Sequence, residues 1–304
     1  MSYYLAIDAG GTKTDYLLAD DQRELARVRT GTIKRMRADA ATTAAHLDQA
    51  IIELTARSGV SMRSIHCTCI GTAGETVPLV RDWLRDALSL RVAGSLLLLG
   101  DVEIALDAAF FGQPGVLAMA GTGSNVAGRD TTGKLTTAGG WGPALADQGS
   151  GHRIGHQALR ALFLALDRGQ HSTLLPAVLD AWQLASIDDI VACANQIPSP
   201  DFSQLTQVVL RCAQLGDPIA AEVLHREGQD LATLVRLVIE RLRSTAADPD
   251  WLPTLAFTGS ILENVLPVRT ALLAAIHAEF PTIHTLDGVI DPLEGALWRA
   301  RNGR

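Results

Sequence analysis

Apolar positions follow two rhythms along the chain. Residues 3–7 and 16–19 are short apolar runs that flank Gly10 and Gly11, the pattern of a strand, a tight turn and a returning antiparallel strand. Further strands are predicted at 64–70, 96–99, 116–120, from 126 to 128, and at 255–258. Between them the spacing becomes helical. Residues 40–57 place Leu47, Ile51 and Leu54 on one face, with Gly59 just beyond the end. Helices are also predicted over 76–90, 102–111 and 150–166, as two short pieces of 171–195 broken near Ala185, and over 204–215. Residues 218–243 form one long predicted helix that packs through Ile219, Val223, Leu231, Leu234 and Leu237. The last two helices span 267–280 and the segment from Asp291-Pro292 onward. A β-β opening followed by alternating helices and strands describes an α/β layered protein.

Length and charge narrow the choice of partner. The 304 residues suffice for two domains of common size, and 47% hydrophobic content supports ordinary cores. A net charge of −7 argues against a general nucleic-acid binder, because affinity for the phosphate backbone comes from clustered Lys and Arg. No apolar run approaches a membrane span, and the chain opens on a strand rather than a signal core, so no membrane partner and a cytoplasmic location are expected. Cys67 and Cys69 share one side of an extended strand. With Cys193 and Cys212, they are expected to be reduced thiols.

The turns carry the chemistry. Adjacent glycines let main-chain N–H groups approach a large anion, and Asp8 would face the cation that accompanies it. Asp101 follows the 96–99 strand and precedes a helix, on the rim where α/β sheets hold ligands; its plain role there is an N-cap. A second turn, Gly121-Thr122-Gly123-Ser124-Asn125, repeats the architecture of the first. Neither turn is a GxGxxG opening a helix or a Walker loop. Two β-turn-β loops, one beginning each half, suggest two like domains that face each other with phosphates held between the turns. His152, His156, His171 and His225 have no metal-ligand spacing.

The segments DAGGTKTD from Asp8, AGTGSN from Ala120, GGWGPALADQGSGHRIG from Gly139 and FTGS from Phe257 together resemble the BadF/BadG/BcrA/BcrD ATPase family. Within it, they are most like the sugar-kinase branch typified by N-acetylglucosamine kinase. The resemblance implies an actin-like, ribonuclease H-like two-domain fold with an interdomain cleft. It divides the chain into 1–117 plus a C-terminal helix at about 291–304, and 118–290. It also implies ATP with Mg²⁺, an amino-sugar substrate, transfer to the 6-hydroxyl, and a homodimer. Gly10, Gly11, Thr12, Lys13 and Thr14 then match the first phosphate loop, Gly121, Thr122 and Gly123 the second, and Gly259 and Ser260 the adenosine loop. Asp8 matches the Mg²⁺ carboxylate and Asp101 the catalytic base. Ser124, Asn125, Gly140, Trp141, Gly142 and Asp147, with Asp101, resemble the sugar-contacting set. Trp141 would stack on a pyranose or fill a hinge, and Asp147 would bind hydroxyls or cap the helix near Ser150. Gly295 and Ala296 would let the last helix approach another closely.

Two positions depart from the family pattern. Gln148 stands where the family usually has an acidic residue. The segment after the first hairpin reads TGTIKRMRAD, where relatives often carry a Pro and an Asn that help seat the sugar. Its Lys34, Arg35 and Arg37 form either a solvated surface or a reader of an anionic substituent, such as the carboxylate of N-acetylmuramic acid. Competing readings are a family ATPase that activates a reductase through a bridging iron–sulfur cluster, and a sugar sensor without turnover. The cysteine positions disfavour the first and the retained Asp8 and Asp101 the second.

Overall fold

The computed structural model describes residues 1–303, so Arg304, at the end of the C-terminal segment considered above, lies outside the described residues. The chain begins β1 (Tyr3–Ala9), β2 (Lys13–Ala19), β3 (Glu24–Gly31), α1 (Ala40–Ser58), β4 (Ile65–Thr72), α2 (Pro78–Ser89), β5 (Ser95–Leu99) and α3 (Asp101–Phe110). It continues β6 (Gly115–Ala120), β7 (Ser124–Arg129), β8 (Leu135–Gly139), α4 (Gly151–Asp167), α5 (Leu174–Trp182), α6 (Ile187–Ala194), α7 (Thr206–Gln214) and α8 (Pro218–Arg243). Then come β9 (Leu255–Thr258), α9 (Ser260–Asn264), α10 (Leu266–Glu279) and α11 (Pro292–Asn302). These elements form two compact units. One is Met1–Gln113 with the segment from Ile290 onward, and the other is Pro114–Val289.

The first unit is built on a five-stranded sheet of order β3-β2-β1-β4-β5. β1 pairs antiparallel with β2 and parallel with β4, which sets Asp8 opposite Asp15 on one side and Gly71 on the other. Alternation along each strand divides the side chains between two cores. Leu5, Ile7, Tyr16 and Leu18 pack with Leu47 and Leu54 of α1 and Val80 and Leu84 of α2. Tyr4, Ala6, Leu17, Cys67 and Cys69 pack with Ile104 of α3 and Leu293, Ala296 and Leu297 of α11. The two cysteines thus share a face as predicted, and all four are free thiols, with Cys193 only half-buried.

The second unit repeats the topology. Its sheet order, β8-β7-β6-β9, has the same sequence of antiparallel, antiparallel and parallel pairings as β3-β2-β1-β4. Val223, Leu231 and Leu234 of α8 are buried beneath it as predicted, but Leu237 is 38% exposed and lies at the outer edge of the packed stripe. No helix among the described residues is long and apolar enough to cross a membrane.

Two strands escape the sequence reading, and for the same reason. β3 offers the core only Ala26, Val28 and Thr30, with charged residues on its other face. β8 buries only Ala138. Both are edge strands whose apolar signal is too short to stand out. The helix starts also shift. Gly100, not Asp101, is the N-cap of α3, and Ser150, not Asp147, caps α4 through Arg153 N.

α11 closes against α3 at a distance only glycine permits. A Cβ added at Gly295 would sit 1.8 Å from the Ile104 carbonyl oxygen, a backbone atom that cannot turn aside. Beside this contact the buried Asp107 carboxylate accepts from Arg299. Gly295→Ala is therefore expected to destabilise the first unit by at least roughly 2–3 kcal/mol, since the clash is with main chain rather than a flexible side chain. Thermal or urea denaturation reads this directly, and a melting temperature within a degree of the parent would show that α11 docks differently.

Candidate active site

In the first unit the β1–β2 turn is held from one side by the chain that leaves β3. Thr32 Oγ1 donates to the Gly10 carbonyl at 2.8 Å, and Ile33 N donates to Thr14 Oγ1 at 3.2 Å. Gly10 has no room for a side chain, because a Cβ there would lie 2.8 Å from the Lys13 carbonyl oxygen. Neither Gly10 nor Gly11 takes a left-handed φ, so close approach rather than unusual backbone explains Gly10. Gly11 and Thr12 are exposed. Thr14 is fully buried with its hydroxyl facing Ile33, and the Lys13 ammonium, 54% exposed, lies 3.8 Å from Asp15. Of the five predicted phosphate-loop residues, Gly10 to Thr12 present the turn and Thr14 supports it from beneath.

Asp8 sits one residue before the end of β1, half-buried. Its pKa is pushed up to about 7, first by burial and then by the negative charges of Asp101 and Asp15, while Lys34 draws it down. Of its acidic neighbours, Asp15 is itself paired with Arg29 at 2.5 Å. Asp101 is the first residue of α3, also half-buried, with Oδ1 accepting at 3.0 Å from Val102 N. The helix amino terminus favours its negative charge. Gly100 N donates to Glu103, which secures the helix start and leaves the Asp101 carboxylate outside the cap. The structure therefore brings Asp8 and Asp101 within electrostatic reach of each other in one unit.

The second turn is fixed by the start of α4. Gly151 N donates to the Gly121 carbonyl at 2.8 Å and His152 N to the Thr122 carbonyl at 3.2 Å, while Gly121 N bonds Gly123 O. Gly259 lies against this turn with φ 97°, and a Cβ on it would be 2.3 Å from the Ala120 carbonyl oxygen. Ser260 Oγ is 3.8 Å from the Cβ position of Gly121. The predicted second phosphate turn and the predicted adenosine loop are thus neighbours in the second unit.

The predicted sugar-contacting residues of this unit also gather, with Trp141 apart. Asp147, 4% exposed, accepts from Ser124 N at 2.7 Å through Oδ1, and its oxygens lie beside Gly123. Gly140, in the left-handed region, packs on the Asn125 amide, 3.0 Å from its Cβ position. Ser124 Oγ, Asn125 Oδ1 and Gln148 Oε1 are buried without a partner. Buried acceptors of that kind are costly to leave unmade and point to a ligand rich in donors. Ser124 and Asn125 open β7 rather than belonging to the turn, so the strand itself orients them. Trp141 is 72% exposed and fills no hinge; it is free to stack on a ligand.

Sequence reasoning missed Glu227. It is 2% exposed on α8, accepts from Gly149 N at 2.8 Å and from Arg153 Nε at 2.9 Å, and so anchors the segment that carries Asp147 and Gln148. Burial raises its pKa. The signal was available, because a glutamate between Val223 and Leu231 at helical spacing falls on the buried stripe. Among the described residues no three His, Cys, Asp or Glu side chains cluster as a metal cage.

Comparison with known proteins follows the same map. The model of the BadF/BadG/BcrA/BcrD ATPase family matches residues 5–300. The chain is 27% identical to an N-acetylmuramic acid/N-acetylglucosamine kinase of Clostridium acetobutylicum, over 99% of both chains. It is 28% identical to an N-acetyl-D-glucosamine kinase of Dictyostelium discoideum, over 99% of this chain and 98% of that one. A solved structure from Chromobacterium violaceum, assigned as an N-acetylglucosamine kinase, superposes with a TM-score of 0.74 at 25% identity, covering 98% of each chain. The fold is the actin-like fold of these sugar kinases, and the chain belongs to the BadF/BadG/BcrA/BcrD ATPase family.

Proposed function

We propose that this protein is an ATP-dependent hexosamine kinase that phosphorylates N-acetylglucosamine or a related amino sugar, including glucosamine and N-acetylmuramic acid, at the 6-hydroxyl. The full-length match to hexosamine kinases supports the class. The observation that carries the mechanism is Asp101, held outside the α3 cap with only a neighbouring amide on Oδ1. Phosphoryl transfer asks the protein mainly for positioning and charge neutralisation. Asp101 accepts the sugar hydroxyl proton as the new oxygen–phosphorus bond forms. The amides of the Gly10–Thr12 and Gly121–Gly123 turns receive phosphate oxygens, and Gly259 and Ser260 border the adenosine.

The chemistry of the acidic pair fits Mg²⁺. A hard cation that keeps much of its water takes one or two carboxylates rather than a full protein cage. Asp8 would hold it, and once bound it would offset charge on the phosphates. Ser124, Asn125 and Asp147 orient the sugar, with the three orphaned acceptors receiving its hydroxyl or amide protons. The reading includes a homodimer and a cytoplasmic location, where ATP and reduced thiols coexist.

Three expectations follow from this site. Asp101→Asn should keep nucleotide and sugar affinity within about threefold while turnover falls by roughly 100-fold or more, because a general base contributes on that scale; near-normal ADP release would remove Asp101 from the chemistry. The second expectation concerns Asp8 in the ligand-free protein. Its folded pKa lies above the ordinary 3.8, so its contribution to stability is full below about pH 4 and is lost as pH rises through about 7. Asp8→Asn should therefore raise stability at pH 8 by roughly 1–2 kcal/mol and change it little at pH 4. Thermal melts without metal or nucleotide check this, and a lower melting temperature at pH 8 would contradict it. Third, ADP release with a panel of N-acetylglucosamine, glucosamine and N-acetylmuramic acid should show turnover with at least one of them. Phosphorus NMR of the product should place the phosphate on the 6-oxygen, and silence across the panel would end the kinase reading.

A further inference from the structure

The segment between β3 and α1 is tied to the first phosphate turn, and the tie places a cation there. Thr32 holds it to Gly10, Ile33 N holds it to Thr14, and His46 Nδ1 meets the Thr32 carbonyl at 2.9 Å. Lys34 N is fixed in turn by Thr32 Oγ1 at 3.1 Å, and the amides of Arg37 and Ala38 both donate to the Lys34 carbonyl. The backbone of Lys34 is therefore as rigid as the turn it borders. Its two basic neighbours are disposed differently. Arg35 donates to the Ala38 carbonyl, and Arg37 is exposed with Nε 4.0 Å from the Cβ position of Gly11.

Lys34 is half-buried, and among the described residues its ammonium forms no salt bridge. It nevertheless feels the charges of Asp101, Asp8 and Glu75, which oppose the lowering of its pKa by burial. A desolvated ammonium near both the base and the cation carboxylate, bound to neither, is arranged for an anion that arrives between them.

We propose that Lys34 is a catalytic residue whose ammonium binds the terminal phosphoryl group of ATP as it passes to the sugar. This inference rests on the kinase reading. In the step, the sugar hydroxyl oxygen bonds to the terminal phosphorus and its proton passes to Asp101. The bridging phosphorus–oxygen bond breaks, with its electron pair left on ADP. Lys34 donates to an oxygen of the moving group throughout and keeps its own protons. Lys13 is less suited to this task, because its ammonium is largely exposed and already lies near Asp15.

The test compares the parent with Lys34→Met and Lys34→Arg. Calorimetry without sugar measures the affinity of each for ADP and for the β,γ-imido analogue of ATP, which differ in the terminal group. Lys34→Met should bind ADP as the parent does and lose about tenfold of the preference for the analogue. Its turnover on N-acetylglucosamine should fall roughly 100-fold, with the sugar KM within about threefold, and Lys34→Arg should recover part of both losses. An unchanged analogue-to-ADP ratio overturns the proposal. So does a defect confined to the KM of an acidic hexosamine such as N-acetylmuramic acid, which would make Lys34 a reader of the sugar substituent. Should the parent phosphorylate no hexosamine, the kinase reading fails on its own account, while the nucleotide ratio still decides whether Lys34 meets the terminal phosphate.

Discussion

An acidic side chain held against its own electrostatic interest is the constraint from which the first unit is best understood. Asp8 faces Asp15 across the β1–β2 ladder and feels Asp101 from the far edge of the sheet. Asp15 is paired with Arg29 at 2.5 Å, whereas among the described residues neither Asp8 nor Asp101 forms a salt bridge with Lys34, the half-buried cation beside them. Such an arrangement relaxes unless the backbone is stiff, because a mobile loop would swing one charge into water. The stiffness comes from apolar packing on both faces of β1, where Leu5 and Ile7 fill one core and Tyr4 and Ala6 the other. The sheet bears an electrostatic cost at one end and recovers it through burial along the rest of the strand. Under the proposed function, a ligand that brings positive charge to Asp8 would relieve this repulsion, favouring a cation-bearing anion over a bare anion.

Much of this was legible from residue order. The glycine turns stood out because they break a periodic apolar pattern, while Asp101 read plainly as an N-cap and took its proposed role, like the GGWG to GSG segment, from the family resemblance. What was illegible depended on partners distant in sequence. Glu227 reads as one more glutamate on a helix until Gly149 and Arg153, more than 70 residues away, are seen to claim it. Lys34 reads as part of a basic surface run until its amide is seen to donate to Thr32 Oγ1, on a segment whose Ile33 amide donates to Thr14 Oγ1. β3 and β8 were missed because an edge strand needs only two or three inward residues, too few for a period to register. The glycines at 10 and 11 were located from sequence, but the Lys13 carbonyl that leaves Gly10 no room for a side chain was not legible. Sequence shows that a side chain is absent, whereas only coordinates show whether space or backbone angle required it.

The repeated topology explains why the two turns differ. Ala9 pairs with Thr14 at the end of the first hairpin, and Ala120 pairs with Ser124 at the end of the second. Aligning these pairs puts Asp8 in register with Met119, and Asp15 with Asn125. The same scaffold therefore carries two opposed carboxylates in one unit, and a thioether beside an amide in the other. Under the proposed function, a polyphosphate would account for that asymmetry. Its charge would call for backbone amides from a turn that meets it, and an unpaired carboxylate such as Asp8 would sit beside it more easily with a cation between them. At the second turn the buried carboxylate is Asp147, which is taken up by the Ser124 amide beside Gly123, and an acid in place of Asn125 would lose the amide that packs on Gly140. The two units thus share the strand pairing of the hairpin, while the turn itself has four residues between Ala9 and Thr14 and three between Ala120 and Ser124. Under the proposed function the side chains would differ because holding a cation and orienting a sugar are different tasks.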